Sequence, residues 1–323
     1  MTQSVFVGID LGGTNVRVGL ISVDGETLIS RDEKIHAHMG AEHGIARIIG
    51  IITDLVARVQ IQPRAIGIGA TGPVDHIQGI IHNPYTLPTW EDVDIIRPIC
   101  ERIGVPAFLE NDADVAALGE TWLGAGRGFS KVAVVTVGTG IGTAFIENGK
   151  IFRGFEQIHP EGGHIPIDPN GPECYCGAHG CWEALASGNA IVEAARREIS
   201  LFPESKLIAL ERTDQLTAQT IIEAANNGDV FAMQVLQTSA RYLGLGLVSL
   251  INFYMPECII FTGGVMRSFA TFKPTLTEVI KQHSVMNPID RIPLVLAELG
   301  QNAGMVGAAR AAMLEYPEST EKE

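Results

Sequence analysis

The sequence predicts an α/β fold in two lobes, and three observations carry that prediction. Short β-branched runs alternate with stretches of helical periodicity through the first half of the chain. A strand, glycine turn, strand pattern at residues 9–21 recurs at residues 135–146, which points to a duplicated unit. At 323 residues the chain is too long for one ordinary domain and comfortable for two, each with its own core. Two lobes imply a cleft.

Val5 to Ile9 is a run that a strand would bury, followed by the turn Asp10 to Asn15 and a second run, Val16 to Ile21. Strand, turn and strand read as a hairpin. Ala41 to Gln60 carries helical spacing, Ala65 to Gly69 reads as a buried strand, and Asp92 to Ile103 as a helix interrupted only by Pro98. Ala107 to Leu109 is a further strand. The second half is helix-rich: Ser187 to Ile199, Thr217 to Asn226 and Asp229 to Phe253, the last with an acidic N-cap. Cys258 to Phe261 and Ile292 to Leu296 read as strands, Ala303 to Leu314 as a final helix, and the polar tail from Pro317 as loose. The expected lobes are residues 1–120, joined by the last helix at about 303–316, and residues 121–302.

A net charge of −14 argues against a nucleic-acid partner, since phosphate neutralisation needs clustered Lys and Arg. Met1 to Ser4 runs straight into the first apolar stretch, with no basic leader or cleavage site, and no apolar run reaches bilayer length, so a cytoplasmic protein off the membrane is expected. Five cysteines, three of them within eight residues, do not make a disulfide framework. In a reducing compartment such a cluster reads as metal ligands.

Cys174, Cys176 and Cys181 with His164 match the Cys₃His set that closes a tetrahedral zinc site. Gly177 and Gly180 let the loop fold back on itself. His179 competes as fourth ligand; His164 is preferred because a residue between two ligating cysteines would have to turn inward. Four protein ligands leave no open position, so such a zinc is structural. The stretch Glu110-Asn111-Asp112-Ala113-Asp114 follows a strand and opens a helix. Carboxyl ends of strands are where α/β sheets present chemistry, and a carboxylate at a helix N-terminus stays ionised and able to accept a proton. The alternative is that Asn111, Asp112 or Asp114 is only an N-cap. The turns Gly12-Gly13-Thr14, Gly138-Thr139-Gly140 and Thr262-Gly263-Gly264 could cradle oxyanions with backbone N–H groups. None fits the Walker A or dinucleotide fingerprint, and singly each reads as a plain turn.

Taken together, Gly8-Ile9-Asp10-Leu11-Gly12-Gly13-Thr14, Glu110-Asn111-Asp112, Gly138-Thr139-Gly140-Ile141-Gly142, Glu161-Gly162-Gly163-His164 and the cysteine cluster ending at Glu183 resemble the ROK family of repressors, open reading frames and sugar kinases. The resemblance spans nearly the whole chain in the family's order. It implies an actin-like ATPase fold, two ribonuclease-H-like lobes, with a zinc-stapled loop at 161–183. It also implies ATP-dependent phosphorylation of a hexose, most readily glucose at its 6-hydroxyl, with Asp112 as the base. Asn111, Glu161, His164 and Glu183 match sugar-binding positions, Thr86 stands at another, and Gly72 is a candidate backbone contact. Gly8, Asp10, Gly12, Gly13, Thr14 and Asn15, with Gly138, Thr139, Gly140 and Gly142, match the nucleotide-phosphate loops. Asp10 would help hold Mg²⁺, and Gly263 and Gly264 resemble the turn near the adenosine. His164 would put one ring nitrogen on zinc and the other toward a sugar hydroxyl. A homodimer is the family default.

Departures bear on the sugar. Thr86 precedes Leu87-Pro88-Thr89-Trp90 where glucose-type members usually have Asn, Asp114 stands where Asn is more frequent, and Pro160 precedes Glu161 where a small residue is usual. N-acetylmannosamine, N-acetylglucosamine, fructose, mannose and allose are therefore alternative substrates, and polyphosphate an alternative donor. A repressor would carry a DNA-binding domain ahead of the first strand, where Val5 leaves no room. A sugar sensor without catalysis is the remaining non-enzyme reading, and a superfamily hydrolase would leave the zinc loop unexplained.

Overall fold

A computed structural model of the chain describes residues 4–283, 286 and 291–317. The tail beyond Pro317 lies outside the described residues. The chain divides into two compact units: Met1–Ser130 with Phe145–Phe152 and Glu298–Glu323, and Lys131–Ala144 with Arg153–Ala297. The division at Ser130 falls beyond the expected position near 120.

In the first unit β1 (Val5–Leu11), β2 (Asn15–Ser22) and β3 (Thr27–Lys34) form an antiparallel meander. α1 (Ala41–Val59) leads to β4 (Ile66–Ala70), which pairs parallel to β1. β5 (Val74–Asp75), β6 (Ile80–Ile81) and β7 (Val93–Asp94) make a small separate sheet. α2 (Ile96–Ile103) and β8 (Ala107–Asn111) follow, and α3 (Asp112–Leu123) starts directly from β8. The main sheet runs β3-β2-β1-β4-β8. The expected helix from Asp92 is thus shorter, because residues 93 and 94 pair with β6; Pro98 lies in the first turn of α2, where its missing N–H costs nothing.

The sheet of the second unit begins with β9 (Lys131–Val137), β10 (Ile141–Glu147) and β11 (Lys150–Ile151), of which residues 145–152 are counted with the first unit. α4 (Trp182–Ala186), α5 (Gly188–Glu198), α6 (Leu207–Arg212), α7 (Ala218–Asn226) and α8 (Val230–Tyr254) follow. β12 (Cys258–Thr262), α9 (Phe269–His283) and β13 (Leu294–Leu296) complete it. Its sheet runs β11-β10-β9-β12-β13, with β9, β12 and β13 mutually parallel. Position for position this is the strand order of the first sheet. Ser187, Thr217 and Asp229 cap α5, α7 and α8 by accepting backbone N–H bonds, as their residue types predict.

α10 (Ala303–Glu315) belongs to the first unit. Strand alternation sends Val5, Val7, Ile9 and Leu11 toward the core shared with Ile48, Ile52 and Leu55 of α1. Phe6 joins Met305, Val306 and Ala309 of α10 on the other face. α10 approaches so closely that a Cβ at Gly8 would lie 1.9 Å from the Met305 carbonyl oxygen, and one at Gly67 1.7 Å from that of Ala308. A helix buried on nearly every side has no amphipathic stripe, which is why its sequence is rich in Ala and Gly. Among the described residues no helix is long and apolar enough to cross a membrane.

Candidate active site and metal centre

Register builds the first-unit site. Leu11 pairs with Ala70 and Ala70 with Asn111 across the parallel strands β1, β4 and β8. Gly12, Thr71 and Asp112 therefore leave the sheet at one level, at its carboxyl edge. Asn111 takes the capping role: its Oδ1 accepts the Ala113 N–H at 2.8 Å, and Asp112 becomes the first helical residue of α3. Asp112 Oδ1 accepts the same Ala113 N–H, also at 2.8 Å. Gly72 lies against Asn111, since a Cβ at Gly72 would sit 2.8 Å from Asn111 Nδ2. Its bond to Pro73 is cis.

A residue that the sequence reading missed organises this edge. Asn83 is 1 % exposed and gives Nδ2 hydrogen bonds to the Thr71 carbonyl at 3.0 Å and the Thr86 hydroxyl at 2.7 Å. Its Oδ1 accepts the N–H groups of Tyr85 and Thr86, both at 3.1 Å. Buried Leu87 and Trp90 anchor the following turn. Thr86 is consequently presented at the surface with its oxygen already accepting one bond, 3.4 Å from the Thr71 hydroxyl. Its backbone also closes on the glycine turn: a Cβ at Gly13 would lie 2.5 Å from the Thr86 carbonyl oxygen. The turn is tied by the Gly12 N–H to the Asn15 carbonyl at 3.0 Å, and Thr14 and Asn15 are exposed.

Asp10, at the end of β1, pairs in register with Arg17 of β2. Burial pushes its carboxyl above the ordinary value, with Arg17 pulling it down and Asp32 raising it. Such a carboxylate lacks a full complement of countercharge and suits a cation. Gly8 does not share this edge. It is buried inside β1 beneath Met305, so the packing of α10 accounts for its missing side chain.

In the second unit β10 is the hub. The Ile141 N–H donates to Glu183 Oε2 at 2.7 Å, and Gly163 packs so tightly that a Cβ there would lie 2.1 Å from the Ile141 carbonyl oxygen. Buried Thr143 donates to the Pro160 carbonyl at 3.1 Å and accepts the Gly162 N–H at 3.0 Å. Two residues of one strand, Ile141 and Thr143, thus hold the loop carrying exposed Glu161 and the helix carrying Glu183. The Gly138 carbonyl is taken by the Gly188 N–H at 2.8 Å, and Thr139 stands exposed at the tip. Glu183, expected only as a sugar contact, spends one oxygen on this turn. Gly142 lies within β10. Gly263 follows β12 at the level where Val137 ends β9: its φ is +96°, and a Cβ would sit 2.4 Å from the Val137 carbonyl oxygen. Gly264 is exposed beside it.

The metal centre gathers His164, Cys174, Cys176 and Cys181, whose ligand atoms all lie within 4.8 Å of one another. His164 Nδ1 to Cys174 Sγ and Cys176 Sγ to Cys181 Sγ are both 3.6 Å. Tetrahedral zinc with sulfur at about 2.3 Å requires ligand separations of about 3.8 Å, so the four fit the ion. Burial and the neighbouring thiols push Cys181 up to about 12, whereas a hydrogen bond from the Ala178 backbone lowers Cys176. His179 is exposed and outside the cluster. The second His164 nitrogen differs from expectation: Nε2 pairs with the Tyr175 hydroxyl at 3.0 Å rather than standing open.

A model of the ROK family matches residues 6–314. A glucokinase of Thermotoga maritima is 33% identical over 314 residues, 96% of this chain and 97% of that one. The ROK hexokinase structure from Thermus thermophilus superposes with a TM-score of 0.84 at 31% identity, covering 96% of this chain and 98% of that one. The ROK glucokinase of Streptomyces griseus, solved with glucose and AMPPNP, gives 0.75 at 30% identity, covering 96% and 100%. Relatives named as xylose repressors also match. With its fold shared with ROK kinase structures and the family pattern running along nearly its whole length, the chain belongs to the ROK family.

Proposed function

We propose that this protein is an ATP-dependent hexose kinase whose leading substrate is glucose, phosphorylated at its 6-hydroxyl. The observation that carries the reading is Asp112, the first residue of α3, placed at the sheet edge where the Gly12-Gly13-Thr14 turn also stands. The glucokinase relatives and the glucose and AMPPNP complex support it. Asp112 takes the proton from the sugar hydroxyl as that oxygen attacks the γ-phosphorus, and ADP leaves with the electrons of the broken P–O bond. Because the transition state is loose, positioning contributes most of the rate. Asn111, Glu161 and Glu183 orient the sugar, with Gly72 and Thr86 beside it, and His164, its Nε2 on the Tyr175 hydroxyl, acts through the loop it belongs to. The Gly12–Asn15 and Gly138–Gly140 turns cradle the phosphates, and Gly263 and Gly264 border the adenosine. Asp10 would hold Mg²⁺, which supplies charge neutralisation to the departing phosphate.

His164, Cys174, Cys176 and Cys181 would hold a structural zinc that braces the loop bearing Glu161. The protein works as a homodimer in the cytoplasm. A coupled ADP-release screen over aldohexoses, ketohexoses and N-acetylhexosamines tests the reading. Turnover with glucose foremost supports it. Turnover confined to another of these sugars replaces the substrate, and sugar binding without ADP release leaves a sugar sensor.

A further inference from the structure

Glu120, on the last full turn of α3, is a carboxylate only 2 % exposed. It accepts three backbone N–H bonds: from Leu299 at Oε1 (2.7 Å), and from Glu298 (3.0 Å) and Ala125 (3.1 Å) at Oε2. Three convergent backbone donors satisfy both oxygens of a side chain that water does not reach. The Glu298–Leu299 segment then runs through a turn at Gly300–Asn302 into α10. Two residues of that run frame Asp10. Gln301 holds the guanidinium of Arg17 by its carbonyl and, at 2.9 Å, by Oε1, and Arg17 is the register partner of Asp10. Gly304 lies against the Asp10 carboxyl itself: a Cβ there would fall 2.6 Å from Asp10 Cγ. α10 proper is docked by its own apolar contacts, from Met305 onward. What Glu120 adds to the α10 side is therefore confined to the stretch ahead of the helix, its third bond closing the turn after α3 at Ala125.

We propose that Glu120 is a positioning residue that fixes the Asp10 side chain through the Glu298–Gly304 segment, without touching substrate. The cation role of Asp10 rests on the kinase reading above; the positioning of Asp10 does not. Two variants approach Asp10 from opposite ends of the segment. Glu120→Gln keeps the shape but sets an NH₂ donor against at least one of the converging N–H groups. Gly304→Ala suits a helix and pushes only the end of the Asp10 side chain. Crystal structures of both are expected to show Asp10 turned from its wild-type place, with 298–304 displaced in Glu120→Gln. Binding of Mn²⁺ with ADP, followed by electron paramagnetic resonance, is expected to weaken about tenfold or more in each, the usual effect of an outer-shell partner. Asp10 unmoved in Glu120→Gln overturns the proposal. Asp10 moved with Mn²⁺–ADP affinity unchanged upholds it and removes the cation reading instead.

Discussion

Asn83 belongs to no catalytic motif, yet its four hydrogen bonds tie the segment at Thr71 to the turn of Tyr85 and Thr86. Replacing it takes the partner from the half-buried Thr71 carbonyl and from the N–H groups of Tyr85 and Thr86, a loss of about 1–3 kcal/mol. Asn83→Ala is expected to lower stability by that amount in urea titration and to raise the KM for sugar more than that for ATP. An unchanged sugar KM would detach this residue from the substrate side. The sequence showed Thr86 and Gly13 because motifs contain them. It hid Asn83 because Asn before Pro reads only as a turn. For the same reason Glu120 and Thr143 were illegible: each bonds to backbone far along the chain, and no local spacing signals such a partner. The His and Cys cluster was legible because a metal site imposes residue types and a short spacing, and the fold then brings His164 rather than His179 within 4.8 Å of the three thiols.

At the level of elements, the buried strands and the capped helices were legible, since burial and capping are written in residue type. β3 was not: its exposed, charged edge lacks an apolar pattern. Nor was the small sheet of β5, β6 and β7, whose two-residue strands are shorter than any period. The cap of α8 makes a pH prediction. Burial alone would raise Asp229, but N–H groups of Ala232 and Lys206 and the Ser205 hydroxyl outweigh it and hold its pKa below the ordinary carboxylate value. Stability from this group is fully present above the unfolded carboxylate pKa of about 4 and is lost as pH falls through the lower folded value. Asp229→Asn is expected to flatten the acid side of the stability profile; a wild-type slope below pH 4 would contradict that. The zinc loop makes another. Cys176→Ser is expected to lower bound zinc and weaken sugar binding, because the backbone around Cys174 to Cys181 is closed by few bonds of its own. Wild-type zinc content with wild-type kinetics would refute the bracing role.

Across the whole molecule, one strand order is used twice, and each time a glycine turn joins the first two strands of the set. The same physics explains both turns: parallel strands end together, and the backbone N–H groups beyond them are free of side chains that would block a phosphate. Duplication was visible in the sequence at those turns alone, because elsewhere the two copies share geometry and not residues. What distinguishes the copies is chemistry, with Asp112 on one and the loop of His164 and the three clustered cysteines on the other. The account turns on Asp112 accepting the sugar proton. The most direct test is the rate of ADP release from ATP with saturating glucose, wild type against Asp112→Asn, with glucose binding measured alongside. The rate is expected to fall by about 10²–10⁴-fold while glucose still binds; full activity in the variant would contradict it.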